Sequence, residues 1–158
     1  MTRAAVRIAE DDLAGAQTLD LLRIHLQGMR AHSPANAVFA LDLSGLQTPA
    51  VTVWSAWIGD RIAGMAALKD LGGGHGELKS MRTHPDFLRQ GVGAQLLEHV
   101  IVEARRRGMR RLSLETGSGP AFEPALALYR RRGFVAGAAF GGYTPSAFNQ
   151  FLHLDLAG

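Results

Sequence analysis

The chain contains no cysteine. That excludes disulfides, a thiol nucleophile and thiolate metal sites, and it fits a reducing compartment, so a cytoplasmic location is expected. Lysine is nearly absent: Lys69 and Lys79 stand alone, and the net charge of +3 rests on arginine. No run approaches about 18 uninterrupted apolar residues, so no membrane span is expected. The opening residues, MTRAAVRIAEDD, have no apolar stretch and turn acidic at once, so no secretory signal is expected either. The six histidines show no HExxH-like spacing, and no metal is expected. Aromatics make up 7% and do not alternate with the arginines, which leaves little basis for stacking nucleic-acid bases.

What is present is an ordinary globular balance, 47% hydrophobic and 20% charged over 158 residues. That length suits one domain, residues 1–158, with a real core. The arginines cluster at Arg105 to Arg107, Arg110 and Arg111, and Arg130 to Arg132. Three readings stay open for them: helix ends, where cations suit the dipole, a phosphorylated cofactor, or nucleic acid.

Along the chain, Ala4 to Ala9 reads as a short strand with Val6 and Ile8 on one face. Leu13, Leu19, Leu22 and Leu26 suit a helix that Asp11 or Asp12 caps and Gly28 ends. Ser33-Pro34 marks a second helix start, running towards Gly45. From Val51 the period changes to that of strands, with a hairpin at Gly59-Asp60 and a second glycine turn from Leu71 to Gly76. A strand over Glu77 to Thr83 follows, which His84-Pro85-Asp86 stops. Val92, Leu96, Leu97, Val100, Ile101 and Ala104 then keep helical spacing up to Gly108. Arg111 to Thr116 is a strand, Pro120 to Arg132 a helix with Gly133 as its C′ residue, and Phe134 to Phe140 and Phe148 to Leu156 two last strands. The expected class is α+β, a mixed sheet with a glycine turn near its middle.

Gly91-Val92-Gly93 feeds a helix start, where unpaired amides favour an anion. It lacks the lysine and hydroxyl of a Walker A loop. A dinucleotide turn would place an acid about 20 residues later, and Glu115 is available. Against it, Leu96 holds the third glycine position, and HPDFLRQ separates the strand from the turn.

Met81-Arg82-Thr83-His84-Pro85-Asp86-Phe87-Leu88-Arg89-Gln90-Gly91-Val92-Gly93-Ala94 resembles motif A of the GNAT (Gcn5-related) N-acetyltransferase superfamily. Ala127 to Phe134 resembles the end of its motif B. The resemblance spans essentially the whole order of elements. It implies a mostly antiparallel sheet of about seven strands with about four helices, splayed between strands four and five. It implies acetyl-CoA as acyl donor and N-acetyl transfer to a primary amine. A small-molecule acceptor is the expectation, with no nucleic-acid or membrane partner. A non-catalytic acyl-CoA-binding or sensor module is the alternative.

By the same resemblance, the amides of Arg89, Gln90, Gly91, Val92, Gly93 and Ala94 hold the pyrophosphate. The backbone of Met81, Arg82 and Thr83 pairs with the pantetheine arm, a form of strand addition. The family pattern departs at Leu88, which replaces a polar residue. Tyr129 matches the tyrosine near the cofactor sulfur, where a phenol of pKa about 10 can protonate a thiolate of pKa about 8.5. Glu77 matches a general-base position. A regular pleat would put it on the face of Met81 and Thr83, and burial would raise its pKa. Glu115 is a second candidate, as base or substrate contact. Tyr143 and Asn149 fall in the last hairpin, which in this family lines the acceptor pocket or makes a dimer contact.

Overall fold

The first strand, β1 (Arg7–Glu10), leads into helix α1 (Ala16–Gln27). This computed structural model describes residues 5–27 and 43–156. The helix begins later than its aspartates suggest. Asp11 Oδ1 accepts from the Leu13 amide and Asp12 Oδ1 from the Ala14 amide, so both close turns ahead of it. Leu13 takes a positive φ of 62° there. The second helix start, at Ser33-Pro34, lies outside the described residues, and residues 43–46 are helical.

Strands β2 (Val51–Ile58) and β3 (Arg61–Gly72) form the expected hairpin at Gly59-Asp60, with Ile58 opposite Arg61. The triple glycine closes a second hairpin onto β4 (His75–Thr83), with Gly72 opposite His75. Helix α2 (Val92–Arg106), β5 (Arg111–Thr116), α3 (Glu123–Arg132), β6 (Val135–Ala136) and β7 (Gln150–Asp155) follow, with 3₁₀ turns at Pro85–Phe87 and at Pro120–Phe122, where the sequence suggested that α3 already begins. The sheet has seven strands in the order β1-β2-β3-β4-β5-β7-β6. Among the described residues, only β4 and β5 run parallel.

Each face of the sheet has its own core. Leu21, Leu22 and Leu26 of α1 pack with Val53, Ile62, Met65 and Ala67. On the other face, Leu96, Leu97, Val100 and Ile101 of α2 and Leu126 and Tyr129 of α3 pack with Ala66, Leu68, Leu78 and Leu112. Gly64 allows α2 a close approach: a Cβ there would sit 2.8 Å from Leu96 Cδ1 and 2.9 Å from the Arg82 carbonyl. At the far edge, β6 covers only Val135–Ala136, shorter than the run Phe134 to Phe140 suggested. Gly137 still donates one amide bond to the Phe151 carbonyl. The chain then leaves the ladder as a loop to β7.

Most of the clustered arginines sit at helix ends, while Arg111 opens β5. Arg105 and Arg106 occupy the last turn of α2, and Arg130, Arg131 and Arg132 that of α3. Glu103 accepts from both Arg106 and Arg107, and Glu98 accepts from Arg132.

Candidate active site

Two breaks in β4 build the site. The first is its separation from β5. The strands pair only at His75–Arg111, Gly76–Leu112 and Glu77–Ser113. Beyond Glu77 no residue of β4 pairs with β5, so the stretch to Thr83 leaves a wedge open beside it. This is the splay that strand addition by an amide-bearing arm requires.

The second break is a bulge. Met65 pairs with Arg82 and Ala67 with Lys79, so the register slips by one residue between them. Ser80 carries the slip with φ 52°. The slip exchanges the faces of the strand. Leu78, ahead of it, packs in the α2 core, and so does Met81, beyond it. A Cβ on Gly93 would lie 3.4 Å from Thr83 Oγ1 and 3.5 Å from Met81 Cε, so both side chains face α2. Glu77 therefore points to the opposite face from Met81 and Thr83. A regular pleat would have put all three together; the bulge corrects that expectation. Arg82 also turns away, towards His25 of α1. Burial first, and the Arg82 charge second, hold that imidazole down at about 4.

Gly91 precedes α2 with φ 80°, and Arg89 has φ 64°. No side chain caps this helix start. A Cβ on Gly93 would sit 3.3 Å from Leu128 Cδ2, so this glycine keeps a shallow cradle open between α2, α3 and β4. Leu88 is 57% exposed and leaves the approach to the turn apolar.

On the other face, Glu77 is 4% exposed. Its Oε2 accepts a hydrogen bond from the Tyr143 hydroxyl. Lys79 Nζ lies 3.6 Å from the same oxygen. Glu77 and Tyr143, two separate candidates in the sequence, are thus one unit, and Lys79 joins them. Phe140 and Phe151 pack against the Tyr143 ring at centroid distances of 5.3 and 5.9 Å. Glu115 stands on β5 two residues beyond Ser113, half-buried, and its side chain makes no hydrogen bond or ion pair among the described residues. Asn149 is spent inside its own turn, bonding Ser146 and the Thr144 carbonyl. Tyr129 is 6% exposed, and burial pushes its phenol up to about 12.

Sequence reasoning missed His75, Lys79, Ser113 and His153. Nε2 of His75 and Nδ1 of His153 each lie 2.7 Å from Ser113 Oγ. The sequence reading put His75 in the glycine turn, whereas β4 begins at His75, two residues before Glu77. Among the described residues, no group of three or more His, Asp or Glu could hold a metal ion, and no helix is long and apolar enough to cross a membrane.

A sheet split beside a bulged strand, facing an uncapped glycine turn, defines the acyl-CoA N-acyltransferase class. Residues 17–134 match the acetyltransferase (GNAT) family, and the chain belongs to it. The chain is 49% identical to the "Uncharacterized N-acetyltransferase YsnE" of Bacillus subtilis (strain 168), across 93% of this chain and 97% of that one. It is 36% identical to an IAA acetyltransferase of Azospirillum brasilense, across 78% and 80%. Among solved structures, a putative acyl-CoA N-acyltransferase from Klebsiella pneumoniae superposes with a TM-score of 0.78 at 27% identity, covering 96% of this chain and 97% of that one. A Bacillus subtilis acetyltransferase in complex with CoA shares the fold at a TM-score of 0.71 and 21% identity, covering 96% and 99%. The chain is thus an N-acetyltransferase by family.

Proposed function

We propose that this enzyme moves an acetyl group from acetyl-CoA to a primary amine of a small molecule, by direct attack in a ternary complex. The observation that carries this reading is the buried Glu77 carboxylate at the point where β4 leaves β5.

The residues present fit coenzyme A. The open Gly93 cradle and the uncapped amides from Arg89 to Ala94 suit the pyrophosphate. The backbone of Met81, Arg82 and Thr83, which pairs with no residue of β5, suits the pantetheine arm. Bound there, acetyl-CoA supplies an activated acyl carbon and a sulfur leaving group.

Glu77 takes the proton from the incoming amine, held for that task by the Tyr143 hydroxyl and Lys79. Tyr129 stays neutral and donates a hydrogen bond to the sulfur. With its phenol near about 12, it gives up a proton less readily than an ordinary tyrosine, so hydrogen bonding replaces full proton transfer. Glu115 and Tyr143 line the acceptor side. Because Tyr143 is tied to Glu77, we assign the last loop to the acceptor pocket rather than to a dimer contact. The name of the Azospirillum relative supports a small-molecule acceptor. We read residues 1–158 as one domain working in the cytoplasm.

The test is acetyl-CoA consumption by the purified protein against amino acids, polyamines, aminoglycosides and aromatic amines, preceded by thermal shift with coenzyme A. A shift with no turnover on any amine would overturn the transfer reading. No shift at saturating coenzyme A would overturn the whole site.

A further inference from the structure

Acetylation of a protonated amine releases a net proton: ammonium and thioester become amide, thiol and H⁺. Glu77 is 4% exposed, so a carboxyl that has taken the amine proton needs an outlet before the next turnover.

A polar chain stands beside it. His75 lies two residues before Glu77, and Ser113 is Glu77's direct partner on β5. His75 Nε2 lies 2.7 Å from Ser113 Oγ, which lies 2.7 Å from His153 Nδ1. His153 Nε2 lies 2.8 Å from the Ala138 carbonyl. The carbonyl can only accept, and with both imidazoles neutral this fixes every bond in the chain. His153 Nε2–H donates to Ala138. Its Nδ1 accepts from the Ser113 hydroxyl. Ser113 Oγ then accepts from His75 Nε2–H. The remaining nitrogen of His75, Nδ1, makes no hydrogen bond among the described residues and keeps its lone pair. Ser113 and His153 are buried, at 0% and 6% exposure, while His75 is partly exposed. Gly137 makes room for the chain: a Cβ there would lie 2.7 Å from His153 Cδ2.

We propose that His75 receives the proton that Glu77 takes from the amine and passes it to solvent, with Ser113 and His153 as positioning residues that fix its tautomer. The O–H bond of protonated Glu77 breaks, directly or through a water, and an N–H bond forms at His75 Nδ1. The imidazolium then releases that proton to bulk water, restoring both groups. This rests on the assignment of Glu77 as base, and His75 works through Glu77 rather than on the substrate.

The surroundings suit the role. Arg111 on β5, His153 on β7 and Glu77 on its own strand act on His75. Arg110 packs under the adjacent turn, where a Cβ on Gly74 would meet its Nε at 3.2 Å. Burial, then Arg111 and His153, hold the imidazole below its usual range against the pull of Glu77. The shift favours the neutral ring, whose Nδ1 can accept a proton.

The experiment compares wild type with His75→Gln and Ser113→Ala, using the fastest amine of the panel, in weak buffer and with added imidazole. Gln keeps a donor towards Ser113 but cannot titrate. His75→Gln should lower kcat by roughly tenfold, less than the ~10²–10⁴ of a direct acid or base, with the KM for acetyl-CoA unchanged. Added imidazole should restore the rate. Unchanged kcat, or a loss that imidazole does not rescue, overturns the relay while leaving Glu77's role standing. No turnover with any amine instead removes the transfer reading and the relay with it. Nitrogen-15 spectra of wild-type imidazoles check the chain without catalysis: both His75 and His153 should be Nε2–H tautomers, and Nδ1–H on His75 overturns the proposal even if the variants do not fold.

Discussion

The Tyr143 hydroxyl donates a hydrogen bond to Glu77 Oε2 across 66 residues of sequence. It ties the loop before β7 to the strand that leaves the sheet. Removing it takes one donor from a buried carboxylate, and a hydrogen bond to a charged group contributes about 1.5–3 kcal/mol. Tyr143→Phe should therefore lower kcat/KM by roughly 10–100-fold. Coenzyme A affinity, measured by calorimetry, should stay the same. A weaker affinity with unchanged kcat would move Tyr143 to the cofactor side.

Tyr129 gives a prediction in alkali. Its phenol lies near about 12 in the fold, against about 10 in an unfolded chain. Above pH ~10 the unfolded chain ionises first, so stability falls from there until the folded phenol also titrates. Chemical denaturation across this range should show that fall, and Tyr129→Phe should flatten it. The same variant should lower kcat at pH 7 while coenzyme A still binds.

Gly91 tests the turn. With φ 80°, it occupies a region that costs an L-residue about 1–2 kcal/mol. Gly91→Ala should lower Tm by roughly 2–8 °C. It should also weaken coenzyme A, because the strain falls on the amides proposed to hold the pyrophosphate. Gly93→Ala has no such strain, and its Cβ would meet neighbours at 3.3–3.5 Å. It should keep Tm nearly unchanged and still weaken coenzyme A by filling the cradle. Unchanged affinity in both variants would place the pyrophosphate elsewhere.

These contrasts show what the sequence made legible. The turn was readable because its signals are local: Gly91 and Gly93, then apolar residues at helical spacing. The hairpins at Gly59-Asp60 and over the triple glycine were readable for the same reason. The faces of β4 were not. Leu78-Lys79-Ser80-Met81 alternates like a regular strand, and nothing in a serine announces φ 52°. Glu77 was therefore assigned to the face of Met81 and Thr83, and the bulge separates them. The group of His75, Ser113 and His153 was out of reach as well. It exists only because β5 lies between β4 and β7, a pairing that no local pattern encodes.

Away from the site, Glu103 sets a prediction in acid. Hydrogen bonds from Arg106 and then Arg107 hold its carboxyl at about 2, below the usual 4.5. The stabilisation is present above pH ~4.5 and is lost as pH falls towards ~2. The arginines are partly exposed, so water screens the pairs and the effect should stay below about 1 kcal/mol. Denaturation midpoints of Glu103→Gln and wild type should differ at pH 6 and converge near pH 2.

The central claim is that Glu77 is the base for acetyl transfer at the mouth of the β4–β5 split. Steady-state acetyl-CoA consumption by Glu77→Gln, with the amine that wild type uses best, tests it most directly. The expected result is a loss of kcat of about 10²–10⁴-fold, with coenzyme A affinity and Tm close to wild type. Wild-type turnover by Glu77→Gln would contradict it.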